Sequence, residues 1–211
     1  MEADFGNQLT GRGRDIHDER VLAAMSAVPR DAFVPEEMRR YAYADGPLGI
    51  GEGQTISQPF IVALMTQSLG LRGDEKILEI GTGSGYQAAV LAEMGCEVYS
   101  VERIERLSRK AGDVLSELGY SRVHLRVADG SEGWAQEAPF DAVIVTCAAD
   151  EFPQALYSQL RLGGRLIIPV GPDGGVQTLW LYERSGEGAP DGRRICDVRF
   201  VPLLTGVRHA D

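Results

Sequence analysis

A glycine-rich turn between an apolar run and a helical pattern is the stretch of this chain best suited to hold a ligand. Ile77, Leu78 and Ile80 form an apolar run too short for a helix, and three alternate glycines follow within residues 81–85. Glycine allows backbone angles and close approaches that a Cβ would block. The apolar spacing beyond Ser84 is helical, which places the turn at a helix N-terminus with free N–H groups. The sequence therefore predicts a nucleotide-type site.

The spacing of the glycines and two carboxylates narrows the class of ligand. The dinucleotide fingerprint is G-x-G-x-x-G, whereas here Tyr86 fills the position of its third glycine. The stretch E-I-G-T-G-S-G resembles the first motif of the S-adenosylmethionine-dependent methyltransferases, whose cofactor has no phosphate and carries a cationic sulfonium. Glu79 suits that cation. Glu102, about 20 residues beyond Gly81 at the end of a second predicted strand, suits the two ribose hydroxyls.

Other interpretations of these residues remain open at this point. Either glutamate, taken alone, also fits a solvated charge at a strand end. An NAD-dependent oxidoreductase is the alternative from another enzyme class, and Tyr86 is the residue that argues against it.

The size and composition favour one soluble domain. The 211 residues are 44% hydrophobic and 25% charged, and a chain of this length buries about 70% of its unfolded surface around one core. No apolar run approaches the ~20 residues that span a bilayer, and the start lacks the basic and apolar segments of a secretory signal. We therefore expect a cytoplasmic monomer without membrane contact. The formal charge of −10 disfavours a nucleic-acid surface.

The cysteines and histidines show no metal-binding pattern. Cys96, Cys147 and Cys196 lie far apart and form no C-x-x-C pair, and the three histidines are equally scattered. This spacing favours buried free thiols and surface or packing histidines. No metal is expected.

The first third of the chain combines helical and loop signals. The first fifteen residues are rich in Gly, Asn and Arg and are expected to be poorly ordered unless docked. A helix is predicted over 18–28, and residues 41–53 read as a long glycine-punctuated loop, a length typical of functional loops. Ser57 precedes a helix that begins near Pro59, so its oxygen is predicted to cap that helix. With no partner base in the pattern, Ser57 is not expected to be a nucleophile.

The rest of the chain alternates strands and helices. Strands are predicted at 76–80, 97–101, 123–127, 140–145 and 165–170. This order predicts an α/β fold with a doubly wound, mostly parallel sheet, which is Rossmann-like. Asp129 and Gly130 follow the third strand and should face the same sheet edge as residues 81–85. Two strand-like segments, 176–183 and 194–201, predict a C-terminal β-hairpin at the sheet's edge.

Over nearly its whole length the chain resembles the protein-L-isoaspartate O-methyltransferases. The motifs that carry the resemblance are R-V-L-A-A-M-S-A-V-P-R-D-A-F-V-P, P-L-G-I-G-E-G-Q-T-I-S-Q-P-F, L-E-I-G-T-G-S-G-Y-Q-A-A-V-L-A, V-Y-S-V-E-R, A-P-F-D-A-V-I-V-T and G-G-R-L-I-I-P-V-G. Many methyltransferases share the glycine motif, so the T-I-S-Q-P stretch before it is the specific part.

The resemblance implies the class I methyltransferase fold, S-adenosyl-L-methionine as cofactor and S-adenosyl-L-homocysteine as product. The residues expected at the cofactor are Gln54, Thr55, Ile56, Ser57, Glu79, Gly81, Thr82, Gly83, Ser84, Gly85, Glu102, Asp129 and Gly130. Residues 81–85 would line its amino-acid and ribose portion, Glu102 would hold the ribose hydroxyls, and residues 129–130 would reach the adenine. The 54–57 stretch would close over the cofactor beside the substrate. Ser57 matches the family's active-site serine, so a catalytic and a capping role are both open.

The reaction that the resemblance implies is methylation of the free α-carboxylate of an L-isoaspartyl residue in a damaged protein or peptide. A free α-carboxyl has a pKa of about 3.3–3.7, so it is already ionised and needs no general base. Ser57 would position this carboxylate, and the methyl ester would collapse to a succinimide, which starts repair. A methyltransferase acting on a small molecule or RNA, and a non-catalytic cofactor-binding protein, are the alternatives.

We divide the single predicted domain into an N-terminal helical, substrate-side segment (1–70), a cofactor-binding core (71–172) and a C-terminal hairpin (173–211). Two departures from the family pattern affect the last two parts. Cys147-Ala148 stands where relatives often have Ala-Ala, and a second leucine, Leu204, follows Val-Pro-Leu where some relatives have threonine. The sequence therefore leaves the assignment of residues on the C-terminal side of the substrate pocket open by one position.

Overall fold

A computed structural model describes residues 16–186 and 190–210 of the chain. The expectation of poor order in the first fifteen residues lies outside this range, as does the centre of the loop before the last strand.

Within the described ranges, nine strands form a seven-stranded sheet and a separate two-stranded hairpin. The strands are β1 (Leu48–Gly51), β2 (Gln54–Ile56), β3 (Lys76–Ile80), β4 (Glu97–Glu102), β5 (Val123–Val127), β6 (Phe140–Val145), β7 (Leu160–Val170), β8 (Gln177–Glu183) and β9 (Asp191–Val198). The large sheet has the order β5-β4-β3-β6-β7-β8-β9.

The pairing in the large sheet confirms the doubly wound, mostly parallel prediction. Strands β3 to β7 pair with one another in parallel, whereas β8 pairs antiparallel with both β7 and β9, and β8 and β9 form a hairpin at one edge. The chain winds outward in opposite directions from β3 and β6, which lie side by side. Ligands bind outside the carboxyl ends of strands at such a switch point in the strand order.

Five helices cover the sheet in the part of the chain that the structure describes. They are α1 (Glu19–Ala27), α2 (Pro59–Leu69), α3 (Tyr86–Glu93), α4 (Glu105–Glu117) and α5 (Gln154–Ser158). The first confirms the helix predicted over 18–28, and its N-cap Asp18 accepts the Arg20 N–H at 3.0 Å. Gly119, with φ at +81°, follows α4 and allows the left-handed turn that ends it.

The core lies on both faces of the sheet because successive side chains of a strand point to opposite faces. Ile77 and Ile144 belong to the larger buried cluster, which also contains residues of α1 to α4. Leu78 and Val143, their neighbours along the strands, belong to a second cluster that includes Leu156 of α5. Both layers are needed, since a parallel sheet is apolar on both faces.

The segment 41–53, predicted as a loop, contains most of a β-hairpin. Strands β1 and β2 pair antiparallel, with Leu48 opposite Ile56 and a shift of register at Gly51. The prediction was wrong because its glycines were interpreted as loop residues, whereas Gly51 and Gly53 supply the positive φ angles of the turn that joins the strands.

The predicted capping of α2 by Ser57 is also wrong. The N-cap is Gln58, without a side-chain cap, because Ser57 stands one residue too early to reach the first turn. Asp45 provides an acceptor instead, since its Oδ1 lies 3.3 Å from the Phe60 nitrogen.

The boundaries of β3, β4, β5, β6 and β8 were predicted to within one residue, whereas those of β7 and β9 differ by more. The ranges of β3, β5 and β6 are those predicted. Strand β7 begins at Leu160 instead of residue 165, because Leu160 already pairs with Phe140 and the chain continues through Gly163 and Gly164 as strand. Strand β9 ends three residues before the predicted residue 201.

The sheet's inner layer gives a direct stability test. Leu78 is 0% exposed, so Leu78→Ala should lower the free energy of unfolding by about 2–5 kcal/mol through lost burial and a cavity. Leu162 is 67% exposed, and Leu162→Ala should change it by less than about 0.5 kcal/mol. Urea unfolding measures both, and equal effects would contradict this account of the core.

Candidate functional site

A cavity opens at the switch point, over the carboxyl ends of β3 and β6. Thr146, directly after β6, donates its hydroxyl to the carbonyl of Gly81 at 2.7 Å and to that of Ile80 at 3.0 Å. A Cβ on Gly81 would lie 2.6 Å from Thr146 Oγ1, and the φ of Gly81 is +94°. Only glycine fits at this position, which explains why the turn begins with one.

The other two glycines allow different close approaches. Gly83 has φ at +54°, and a Cβ there would lie 3.5 Å from Ile50 of the β1–β2 hairpin. Gly85 has φ at +90°, and a Cβ there would lie 3.2 Å from both Ala111 and Leu115 of α4. The turn is therefore packed between the hairpin above it and α4 beside it.

The Glu102 carboxylate connects the turns that follow β3 and β4. Its Oε2 accepts the Gly83 N–H at 2.9 Å, and its Oε1 accepts the Ile104 N–H at 2.9 Å. The residue is 5% exposed and lines the cavity. An ionised carboxylate offers about four acceptor positions. Each oxygen therefore keeps an acceptor position for a ligand.

Glu79 lies beneath the turn, and it is not among the residues that line the cavity. Ser100 Oγ lies 2.5 Å from Glu79 Oε2 and 2.6 Å from Thr82 Oγ1, whereas Glu79 Oε1 has no hydrogen-bond partner among the described residues. Complete burial raises the pKa of Glu79 to about 8, and the negative charge of Glu102 adds to this effect. The carboxyl therefore holds its proton near neutral pH.

The β1–β2 hairpin forms one wall of the cavity. All four residues from Gln54 to Ser57 line it. At the hairpin tip Glu52 adopts a φ of +55° and pairs with Arg106 at 3.5 Å and with Arg208 at 3.0 Å. These ion pairs tie the hairpin to α4 and to the C-terminal segment.

Asp129 and Gly130 were predicted to act together, but only one of them lines the cavity. Gly130 lines the cavity. The Asp129 carboxylate is engaged beside it, because Oδ1 accepts the Ser131 N–H at 2.9 Å and Oδ2 accepts the Gly206 N–H at 2.6 Å. These hydrogen bonds hold the pKa of Asp129 below its usual value, against the opposing effect of burial. Asp129 thus fixes the C-terminal segment against the sheet edge.

Of the predicted site residues, the structure brings ten to the cavity wall: Gln54, Thr55, Ile56, Ser57, Gly81, Thr82, Gly83, Ser84, Glu102 and Gly130. Glu79, Gly85 and Asp129 are not among the residues that line the cavity.

Sequence reasoning missed the other lining residues. They are Val62, Ile80, Tyr86, Gln87, Val101, Arg103, Ile104, Thr146, Cys147, Val201, Pro202, Leu203 and Leu204. Thr146 and Cys147 directly follow a predicted strand, so the strand-end rule that identified Asp129 applied to them too. The segment 201–204 is held by backbone hydrogen bonds to Ala148, a pairing between distant parts of the chain for which the sequence has no local signal.

A second cavity adjoins the first, and Ser57 lies at their junction. Thr55, Ser57, Thr146 and Val201 line both cavities, and the far wall of the second includes Val176 and Arg199. Among the described residues Ser57 Oγ has no hydrogen-bond partner, whereas its carbonyl accepts a hydrogen bond from Arg30. The hydroxyl is therefore available at the point where two ligands would meet.

Other expectations concern thiols, metals and membranes. Cys96 and Cys147 are buried thiols, and Cys196 is half-buried. Over residues 16–186 and 190–210, no group of three or more His, Cys, Asp or Glu side chains is arranged to hold a metal ion. In the same ranges, no helix is long and apolar enough to cross a membrane.

Known sequences that match most of this chain belong to one methyltransferase family. The sequence profile of the family described as protein-L-isoaspartate(D-aspartate) O-methyltransferase matches residues 7–208. A protein-L-isoaspartate O-methyltransferase of Opitutus terrae is 57% identical over 190 residues, which cover 90% of this chain and 81% of the relative. One from Marinobacter nauticus is 52% identical, over 93% of this chain and 89% of the relative.

Two solved structures with names from the same family superimpose on nearly the whole chain. A protein-L-isoaspartate O-methyltransferase of known structure superimposes with a TM-score of 0.88 at 28% identity, covering 98% of this chain and 67% of that one. A Plasmodium falciparum protein, described as a protein-L-isoaspartate O-methyltransferase and solved in complex with S-adenosyl-L-homocysteine, gives 0.82 at 26% identity. It covers 96% of this chain and 98% of its own.

Fold and site together define a class I S-adenosylmethionine-dependent methyltransferase, with the glycine turn and Glu102 at the switch point of a doubly wound sheet. Within that class, the chain belongs to the protein-L-isoaspartate(D-aspartate) O-methyltransferase family. It is an S-adenosylmethionine-dependent protein carboxyl methyltransferase that acts on isoaspartyl residues of damaged proteins and so initiates their repair. This confirms the resemblance and decides against the oxidoreductase alternative.

Glu79 should make the stability of the fold depend on pH. Its pKa rises from an ordinary 4.5 to about 8 on folding, so the folded chain binds the proton more tightly than the unfolded chain. Its contribution is therefore present below the unfolded pKa and is lost as pH rises from 4.5 towards 8, by up to about 1.4 kcal/mol per pH unit. Glu79→Gln should remove this loss.

Urea unfolding at pH 5, 6, 7 and 8 measures the effect as the difference between wild type and variant, in which other titrating groups cancel. We expect Glu79→Gln to gain stability relative to wild type as pH rises. Glu117→Gln, an exposed position on α4, is the control and should run parallel to wild type. If the free energy of unfolding of Glu79→Gln runs parallel to that of wild type from pH 5 to pH 8, the pKa of Glu79 is not raised by folding and this prediction is wrong.

Proposed function

We propose that the cavity at the switch point binds S-adenosyl-L-methionine, and that Ser57 orients the isoaspartyl carboxylate at the junction with the second cavity. The observation that carries this proposal is the position of the Ser57 hydroxyl, which lines both cavities and has no hydrogen-bond partner among the described residues. An alcohol in that position can donate to an incoming carboxylate.

The residues of the first cavity fit the cofactor. The glycine turn exposes backbone that no side chain covers, and the Glu102 carboxylate keeps one free acceptor position on each oxygen, which suits two adjacent ribose hydroxyls. The complex of the Plasmodium falciparum relative with S-adenosyl-L-homocysteine supports this assignment. When bound, the cofactor supplies an electrophilic methyl group.

The remaining predicted residues take supporting roles in this proposal. Gly130 borders the adenine end, where a Cβ would lie 2.6 Å from Ile80. Asp129 holds the C-terminal segment next to the adenine end. Its Oδ1 accepts both the Ser131 N–H and the Ser131 hydroxyl, so only Oδ2, which accepts the Gly206 N–H, keeps an acceptor position. Glu79 lies below the turn, where its carboxyl favours a cationic ligand once it loses its proton.

The substrate needs orientation more than activation. Its α-carboxylate is ionised at neutral pH, so no general base is required, and none of the residues that line the second cavity is a histidine. Holding two reactants in line can contribute up to about 7–11 kcal/mol to lowering the barrier. Ser57, with the hairpin above it, would supply this orientation and exclude water.

We also propose that the enzyme is a cytoplasmic monomer that binds neither nucleic acid nor membrane, and that its domain divides at residues 70 and 172. The buried thiols Cys96 and Cys147 fit a reducing compartment. Sedimentation equilibrium tests the monomer, and a dimer at micromolar concentration would overturn it.

Ser57→Ala separates orientation from cofactor binding. A hydrogen bond to a charged group is worth about 1.5–3 kcal/mol, so kcat for an isoaspartyl peptide should fall about 10-fold to 100-fold. The Kd for S-adenosylmethionine should stay within about 2-fold. Ser26→Ala, on the exposed side of α1, is the matched control and should leave both unchanged. A large loss of cofactor affinity in Ser57→Ala would remove Ser57 from the proposed role.

Glu102→Gln should show the opposite pattern. The amide keeps the shape of the side chain but offers only one acceptor oxygen, so a ribose hydroxyl or a backbone N–H loses its partner. We expect S-adenosylmethionine and S-adenosylhomocysteine to bind about 10-fold to 100-fold more weakly, and equally so, because both carry the ribose. Isothermal titration calorimetry measures this, with Glu117→Gln as control. An unchanged Kd would remove Glu102 from the ribose site.

A further inference from the structure

Arg30 is a fully buried cation that bonds to the chain on the substrate side of the site. Its side chain is 0% exposed. The guanidinium donates from Nε to the carbonyl of Ala42 at 2.8 Å and from Nη2 to the carbonyl of Ser57 at 2.7 Å. The second of these bonds fixes the backbone of the residue that we place against the substrate.

The same guanidinium packs against the cofactor side. It lies 4.6 Å from the centre of the Tyr86 ring. Tyr86 is the first residue of α3, directly after the glycine turn, and it lines the cavity. Arg30 therefore connects two segments of the proposed site: the segment that bears Ser57 and the helix that begins after the glycine turn.

Burial of the Arg30 guanidinium lowers the stability of the fold. No carboxylate forms an ion pair with Arg30 in the described ranges, and both Arg30 Nη1 and the Tyr86 hydroxyl are buried without a hydrogen-bond partner there. Burial lowers the pKa of Arg30, and burying a charge without an opposite partner costs stability. An apolar side chain would fill the same space without burying a charge, but it would leave the Ala42 and Ser57 carbonyls without this donor. Packing alone therefore does not account for a guanidinium here.

We propose that Arg30 is a positioning residue for methyl transfer, which sets the place of Ser57 relative to the glycine turn. The inference rests on the proposed role of Ser57. A planar guanidinium can donate in two directions and stack on an aromatic ring at once, whereas a lysine ammonium lacks this fixed geometry. Loss of the link would move the Ser57 hydroxyl away from the line of transfer, and a displacement of about 1 Å can cost about 100-fold in rate.

A double-mutant cycle tests whether Arg30 acts through Ser57. Wild type, Arg30→Lys, Ser57→Ala and the double variant are compared for kcat on an isoaspartyl peptide, for Kd of S-adenosylmethionine and for thermal unfolding. Arg165→Lys is the matched control. Arg165 also donates to a backbone carbonyl, that of Leu69 at 2.9 Å, but at the opposite end of α2 from the site.

We expect Arg30→Lys alone to lower kcat about 10-fold or more, with Kd for S-adenosylmethionine within about 3-fold of wild type. In the Ser57→Ala background the same change should lower kcat by less than about 2-fold, because the hydroxyl that Arg30 positions is gone. Arg165→Lys should lower kcat by less than about 2-fold in both backgrounds.

The cycle also separates failure of this inference from failure of the proposed site. If Ser57→Ala lowers kcat but the two effects multiply, Arg30 does not act through Ser57 and the inference is overturned. If Ser57→Ala leaves kcat unchanged, the proposed role of Ser57 fails, and the inference fails with it. Arg30→Gln, which keeps one donor nitrogen, replaces Arg30→Lys if that variant does not fold. Unfolding of both would make Arg30 purely structural and also overturn the inference.

Discussion

The close packing of one backbone turn is the constraint on which the rest of this structure depends. The turn after β3 touches β6 through Thr146, the β1–β2 hairpin through Ile50, and α4 through Ala111, and each contact occurs at a glycine. A Cβ at any of these points would clash or crowd a neighbour, or force a strained backbone. The absence of side chains thus brings three elements together and leaves bare backbone facing the cavity.

Buried ionisable side chains are also concentrated around this turn. The Glu102 side chain joins the turns after two neighbouring strands and still faces the cavity, whereas Glu79, one layer deeper, has a raised pKa because burial disfavours its charge. On the opposite side Arg30 holds the Ser57 carbonyl. The unpaired polar atoms buried in the described part of the chain belong to Glu79, Arg30 and Tyr86, all close to the site. The unfavourable burial in the described part of the chain is therefore concentrated around the proposed site.

The sequence predicted what depends on local pattern and missed what depends on distant pairing. Strand and helix order, the glycine turn and the strand-end residue Glu102 follow from short-range periodicity and spacing, and the structure has them in place. The β1–β2 hairpin was missed because its glycines also fit a loop. The hydrogen bonds of Asp129 to residue 206 and of Arg30 to residue 57 join positions 77 and 27 residues apart, which no local pattern indicates.

The most direct measurement of the central claim is methyl transfer from labelled S-adenosylmethionine to one synthetic peptide made with either L-isoaspartate or L-aspartate at a single position, scored as base-labile methyl ester. Only the isoaspartyl form presents a free α-carboxylate in the chain. The account predicts stoichiometric methylation of the isoaspartyl peptide and none of the aspartyl peptide. Equal methylation of both, or methylation of neither by a protein that binds the cofactor, would contradict it.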